Sequence, residues 1–368
     1  MDNSKFCRFF NHGLVYNNDS TSFTISPCCY FKTKNKLEPA KPIESQYLEH
    51  HAKWLKLSVE NNCQICISQE KNNISSFRLA SNDIIDIDAD GIQMLTIAVN
   101  KQCNLACATC GSHSSSFWFQ ENKRNNVKEN PSIIALHQED RNKETTKKFL
   151  SIFDSTKFNN LKYIKFGGGE PFMSDTHYEI LSLLKNRQNI TLQYTSNFSI
   201  MPKNEVFEIW KEFKLVKWMA SVDGVGDQFE FLRWPYKWSN FENFTKTALQ
   251  SVPDNVVFGI EHTLNPLNIF YFDLMENWFN KNFGENRLGD PSDFNIHHAD
   301  GIMSIKYIPQ EIIDMIYKKY GHDHRITYCL PKQGNSSNHN MITYLDKLDS
   351  WRDLNWRQTF HDVSKFIV

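Results

Sequence analysis

Charge imbalance is the first thing missing. The 368-residue chain carries 41 basic against 42 acidic side chains, a formal net charge of −1. No broad basic surface follows, and electrostatics does not favour nucleic acid as a partner. No run of eighteen apolar residues occurs, which removes the simplest signal for a membrane-spanning helix. The start, Met1-Asp-Asn-Ser-Lys5, lacks the apolar core of a signal peptide. A soluble, cytoplasmic protein without membrane or nucleic-acid partners is therefore expected. Internal repeats and low-complexity segments are absent too. What is abundant is aromatic and sulfur chemistry: 28 phenylalanines, 13 tyrosines, 9 tryptophans and 9 cysteines. The aromatics point to a large core. In a reducing compartment the cysteines read as metal ligands rather than disulfides.

The run Cys103-Asn-Leu-Ala-Cys107-Ala-Thr-Cys110 lets one loop aim three thiolates at one small object. A tetrahedral zinc would ask for a fourth ligand nearby, and Gly111-Ser-His113 offers only a histidine. A cubane iron–sulfur cluster held by three thiolates keeps one iron open. The run follows the apolar stretch Gln93-Met-Leu-Thr-Ile-Ala-Val99, which reads as a buried parallel strand. Further on, Tyr163-Ile-Lys-Phe-Gly-Gly-Gly-Glu-Pro171 reads as a second strand ending in glycines and a carboxylate.

Together these segments resemble the signature of radical S-adenosylmethionine (radical SAM) enzymes. The resemblance implies that Cys103, Cys107 and Cys110 hold a 4Fe–4S cluster, and that S-adenosylmethionine (SAM) chelates its open iron. It also implies that Gly167, Gly168, Gly169 and Glu170 form the loop receiving the methionine ammonium. Glycines allow backbone carbonyls to approach a small ligand closely. Glu170 could instead simply cap the next turn. Thr109 stands where the superfamily usually has an aromatic residue, so its backbone, not a stacked ring, would meet the adenine edge. Asn197 and Ser221 match positions that often touch methionine or ribose. Asp223, in Ser221-Val-Asp-Gly224, and Arg233, in the Leu-Arg-x-Pro feature Leu232-Arg-Trp-Pro235, complete the candidate set. For Asn197, Ser221 and Asp223 an ordinary strand-end or turn role is the alternative; Arg233 is read as a carboxylate-binding candidate, since the feature recurs in twitch-bearing relatives. Phe117 and Trp118 are read as core packing.

Six strand candidates alternate with helices: 93–99, 163–166, 191–197, 216–224, 256–263 and 293–298. Helices are expected near 143–153, 177–185, 205–213, 241–250 and 269–279. That order reads as parallel βαβ units, and the resemblance implies an α/β fold built on a partial (β/α)6 TIM-type barrel. Sites in such barrels gather at the C-terminal ends of strands. His262 reads as a core histidine, and of His297 and His298 at most one points inward. Residues 301–368 read as a helical C-terminal extension covering the barrel, with one helix over 344–352 continuing through Leu354-Asn-Trp-Arg357. Cys329 reads as a buried thiol.

Residues 1–90 hold a second cysteine group: Cys7, Cys28, Cys29, Cys63 and Cys66. Gly13 to Ser26 has the pattern of a β-hairpin turning at Asn17-Asn-Asp-Ser20, and a helix over about 46–59 leads to Cys63-Gln-Ile-Cys66. The arrangement resembles the twitch domain of some radical SAM enzymes, a shortened relative of the SPASM domain, which holds an auxiliary 4Fe–4S cluster. Here it precedes the barrel. One of Cys28 and Cys29 is a spare, Cys28 being the favoured ligand. Structural zinc is the alternative, because four thiolates suit either metal centre. The expected organisation is therefore 1–90 (auxiliary-cluster domain), 91–300 (partial barrel) and 301–368 (extension).

The function implied is reductive cleavage of SAM to a 5′-deoxyadenosyl radical that takes hydrogen from a peptide or natural-product precursor. A flavodoxin- or ferredoxin-type electron donor would be the partner. The alternatives are a non-catalytic metal-stabilised binding protein and a polar SAM-dependent methyltransferase.

Overall fold

The structure is a computed structural model. It describes residues 7–18, 23–31, 34–38, 41, 43–71, 73, 76–81, 84–98, 100–138, 147, 150, 158–283, 294–321, 323–335 and 338–368. One nine-stranded sheet organises them, in the order β3-β2-β1-β4-β5-β6-β7-β8-β9. The strands are β1 (Gly13–Asn18), β2 (Phe23–Ser26), β3 (Asn35–Lys36), β4 (Met94–Ala98) and β5 (Tyr163–Phe166), followed by β6 (Thr191–Ser196), β7 (Leu215–Ser221), β8 (Val256–Leu264) and β9 (Phe294–His298). Strands β4 to β9 are the six expected ones, and all pair in parallel.

The hairpin β1–β2 forms as expected, but it is not a separate sheet. Strand β1 pairs in parallel with β4, Leu14 opposite Leu95 and Tyr16 opposite Ile97. The expected boundary near residue 90 thus crosses a continuous ladder. The hairpin tip at 19–22 lies outside the described residues, as does the expected helix over 143–153 apart from residues 147 and 150.

Alternation along the strands gives the sheet two unlike faces, because laterally paired residues point the same way. One row across the outer face is Leu14, Leu95, Ile164, Leu192, Val216 and Val256; the next is Tyr16, Ile97, Phe166, Tyr194, Trp218 and Phe258. All twelve are buried. The aromatic row packs against Trp210 and Phe172, with the Trp210 and Trp218 rings 5.5 Å apart. Truncating such a ring to alanine costs about 3–5 kcal/mol. The inner row between them is Val15, Thr96, Lys165, Gln193, Lys217 and Val257, and four of its six residues are polar.

The sheet curls around that polar face. On a flat sheet β5 and β8 would lie roughly 14 Å apart, three strand spacings. Lys165 Nζ nevertheless sits 2.9 Å from Glu261 Oε1, and Gln193 Nε2 donates to the same oxygen at 3.0 Å. Twist and inward coiling bring the side chains together.

Helices Thr176–Leu183, Asn204–Trp210, Trp238–Ser251 and Phe272–Phe283 fall between the strands as expected. The C-terminal helix runs His339–Arg352. It stops there instead of continuing, because Asp353 adopts φ +53° and Asn355 caps a new turn by accepting from Gln358 N. This extension packs onto the loop after β4: the buried Arg352 forms an ion pair with Glu121 at 2.7 Å. Among the described residues no helix is long and apolar enough to cross a membrane.

Candidate active site

The three cysteines lie where β4 ends and before the Ser116–Arg124 helix, whose N-terminus Ser115 caps by accepting from Phe117 and Trp118 N–H groups. Two neighbouring loops clamp this run. Ala106 N donates to Trp234 O at 2.7 Å and Ala108 N to Leu232 O at 2.8 Å, which sets the Arg233 side chain beside Cys107. Arg233 Nη1 lies 3.8 Å from Cys107 Sγ, and its Nε forms a 2.7 Å ion pair with the fully buried Asp223. Asp223 Oδ1 in turn accepts from Thr263 N at 2.8 Å. Asp223, expected at a strand end, thus ties β7 and β8 to the cysteine loop through Arg233.

The glycine loop is the second clamp. Gly168 adopts φ +113°, open to glycine and strained for other residues. A Cβ on Gly169 would stand 2.0 Å from Gln102 O, so only glycine lets the two loops touch. Gly167 N donates to Ile97 O at 2.9 Å. The same loop holds Glu170, whose backbone N–H donates to Gln102 O at 2.6 Å.

The Glu170 side chain does not follow the expectation of an open ligand carboxylate. It is fully buried, with Oε2 accepting from Asn197 N at 2.7 Å and Oε1 from Phe172 N at 3.3 Å. Burial pushes its carboxyl up to about 7. This is the capping role, which also fastens β5 to the end of β6. Asn197 itself reaches the cysteines: its Nδ2 lies 3.9 Å from Cys103 Sγ and donates to Asn104 Oδ1 at 2.9 Å. Ser221 closes β7 on the inner face, level with Glu261. Thr109 sits half-buried in the turn that Cys110 N closes on Cys107 O.

The thiols differ in charge preference. Burial pushes Cys103 up to about 12. Hydrogen bonding with the Cys110 thiol, aided by the Arg233 charge, brings Cys107 down to about 7 despite burial; the same contact, with burial, drives Cys110 up. The Cys110 contact and the Arg233 charge thus favour the Cys107 thiolate, the form that ligates metal. Among the described residues no three Cys, His, Asp or Glu side chains already stand in metal-ligating geometry. The donor set still fits a cluster: three soft thiols on eight consecutive residues, two in mutual contact and one beside a guanidinium.

Cys7, Cys28, Cys63 and Cys66 gather at the opposite end of the sheet, since Cys7 precedes β1 and Cys28 follows the antiparallel β2. All four are buried. Cys63 and Cys66 lie within electrostatic reach of Cys7, as does Cys66 of Cys28. Burial raises Cys7 to about 12 and Cys63 to about 11. Cys29 is exposed and also faces Lys165 and Glu261. These four buried thiols, with Cys29 in electrostatic reach of Cys28 and Cys66, are a soft donor set that fits a metal centre.

Several contacts were not evident from the sequence. Trp118 Nε1 donates to Cys107 O at 2.8 Å, and Tyr344 OH to Ala108 O at 2.7 Å. Tyr344 also lines a cavity of about 590 Å³ with Ile302, Tyr307, Met341 and Lys347. The Lys165–Glu261–His297 group lies on the inner face; charged residues inside otherwise apolar strands were its available signal. His262 is a core residue, its Nδ1 2.6 Å from Val222 O. His298 turns the other way from His297, against Tyr328.

Residues 97–269 match the radical SAM superfamily model, just under half of the chain. They form a radical SAM domain, a domain of enzymes. No curated protein matches the chain. Among solved structures, native anSMEcpe with bound AdoMet is 15% identical over 62% of this chain, with a TM-score of 0.39. Streptococcus suis SuiB bound to precursor peptide SuiA is 11% identical over 93% of this chain and 75% of its own, with a TM-score of 0.40. This chain spans 58% of the anSMEcpe chain.

Proposed function

Starting from the radical SAM domain formed by residues 97–269, we propose that this protein cleaves SAM reductively and uses the resulting radical on a substrate. The observation that carries the reading is the three-thiol loop held between Arg233 and the Gly168–Gly169 seam. Cys103, Cys107 and Cys110 hold the 4Fe–4S cluster. When bound, that cluster supplies the electron that breaks the SAM carbon–sulfur bond, releasing methionine and a 5′-deoxyadenosyl radical that takes hydrogen from the substrate.

This chain's own groups supply placement. Arg233 offers positive charge to Cys107 and favours its thiolate. Asp223 fixes the guanidinium, and Asn197 steadies Cys103 from the end of β6. The glycine loop brings backbone polar groups against the cysteine loop, where a methionine moiety can meet them. Thr109 offers its backbone to the adenine edge, and Ser221 and Asn197 lie close enough in the fold to serve SAM. Tyr344 and Trp118 hold the loop's carbonyls and keep its outer side dry.

Cys7, Cys28, Cys63 and Cys66 form the auxiliary centre, a 4Fe–4S cluster in a twitch-like module. A peptide or natural-product precursor is the substrate class, and a flavodoxin- or ferredoxin-type protein the electron donor. The test is anaerobic reconstitution, dithionite reduction and chromatography with SAM. Release of 5′-deoxyadenosine is expected; S-adenosylhomocysteine would mean methyl transfer, and no turnover would mean a scaffold. Metal analysis of the reconstituted protein separates an auxiliary cluster from zinc.

A further inference from the structure

The inner face of the sheet carries a charged group that the cysteine loop does not use. Glu261, on β8, is 4% exposed. Its two oxygens accept from Lys165 Nζ at 2.9 Å, Gln193 Nε2 at 3.0 Å, Thr195 Oγ1 at 3.2 Å and Asn295 Nδ2 at 3.4 Å. His297 Nε2 is also bonded to it. Four of these donors crowd Oε1 and His297 takes Oε2, so the Glu261 carboxylate is largely committed within the fold. Burial opposes its charge, yet Lys165 and His297 hold the carboxyl well below the usual range.

What the group presents to the cavity is therefore its donors. The Lys165 side chain is 26% exposed and His297 39%, against 5% for Glu261. An ammonium carries three N–H groups, of which Glu261 occupies one; the His297 ring meets Glu261 through Nε2 and has a second nitrogen. Cys29, after β2, lies within electrostatic reach of Lys165 and Glu261, and its thiol is pushed above the ordinary range by desolvation. The register also fixes the height. Glu261 is level with Ser221, two residues before Asp223, so the group lies roughly 7 Å along the strands from the Asp223–Arg233 clamp.

We propose that Lys165 and His297, held in place by Glu261, form an oxyanion site that binds a carboxylate of the substrate. The inference rests on the proposed function, with the inner face of the sheet as the place where the substrate reacts. It places the reacting part of the substrate between the carboxylate anchor and the cysteine loop. Lys165 and His297 come from separate strands and converge on one group, and the Lys165 ammonium supplies the charge-assisted hydrogen bonding that a carboxylate favours. The carboxylate could come from a peptide C-terminus, an acidic side chain or a small organic acid.

The experiment is calorimetric titration of the anaerobically reconstituted full chain with N-acetylglycine, N-acetylglutamic α-amide and succinate, which stand for these three sources. N-acetylglycinamide is the neutral control. At least one acid is expected to bind at one per chain, about tenfold or more tighter than the amide, and the tightest identifies the source. Lys165→Met and His297→Phe should each weaken it about tenfold, while Lys165→Arg should hold it within about threefold. Because Lys165→Met strands a buried charge and could unfold the protein, Lys165→Met/Glu261→Gln removes both charges and should fold without binding the acid. Equal affinity for acid and amide, no binding, or binding indifferent to Lys165 and His297 would each overturn the proposal. Cys103→Ala separates the two readings: it removes SAM cleavage and should leave carboxylate binding intact.

Discussion

The two thiol groups sit at opposite ends of one sheet and differ in everything but ligand type. At the C-terminal ends of the strands, Cys107 stands beside Arg233 and Cys110 is open to solvent. At the other end, Cys7, Cys28, Cys63 and Cys66 are all buried, and the nearby Arg78 is already bonded to Glu70 at 3.1 Å through its Nε. An open thiol set with an adjacent cation suits a centre that meets a reactant. A closed set among apolar side chains suits a centre that holds structure or passes electrons. The difference comes from the connections. A single loop after β4 carries the first set, whereas the second is assembled from residues up to 59 positions apart, Cys7 to Cys66.

The most decisive way to break this contrast is to delete one thiol from each end. Cys103→Ala should abolish 5′-deoxyadenosine release, whereas Cys63→Ala should keep one cluster's worth of iron. Equal iron loss in both would merge the two centres into one. Next in size is proton affinity, lowered at Cys107 by Cys110 and Arg233 and raised at Cys7 by burial. A lowered thiol pKa means charge above it, so metal-free reduced protein at pH 8 should show a thiolate ultraviolet band. That band should vanish in Cys107→Ser and survive in Cys7→Ser; the reverse would exchange the characters of the two ends. Smaller again is stability at the closed end. Arg78→Met leaves Glu70 without its cation in a largely buried pair and should cost about 3–5 kcal/mol in urea unfolding. A loss below about 1 kcal/mol would show that the nest is not rigidly held. The smallest effect belongs to Tyr344→Phe, which removes one hydrogen bond to the open loop and should cost about 1 kcal/mol. It should slow SAM cleavage while leaving the iron content unchanged; a fall in iron would make Tyr344 a support of the cluster itself.

Much of the parallel sheet could be read directly. Apolar runs such as Val256 to Ile260 mark strands that must be covered, and the intervening helices follow in order. The hairpin was visible through its turn residues, but its attachment to β4 was not, because pairing between residues about 80 positions apart leaves no local pattern. The capping bonds of Glu170, expected as a ligand, were hidden for a related reason. Nothing in Gly-Gly-Gly-Glu shows that Asn197 N will arrive to take its carboxylate. The helical extension was legible as far as Arg352, and its end at Asp353 was missed because a left-handed residue there is a local backbone choice that apolar spacing does not record. Glu121 and Arg352 look like surface charges in the sequence and become a buried pair only after the extension folds back.

By itself the sequence determined the chemistry available: three closely spaced thiols, glycines that permit contact between loops, and alternation that makes one sheet face apolar. Tertiary structure decided the assignments. It chose which carboxylate caps a turn, which thiol stands beside an arginine, and which strand charges meet across the curled sheet. The physical reason is range. Backbone preference and periodicity act over a few residues, whereas burial and ion pairing depend on groups that only folding brings together.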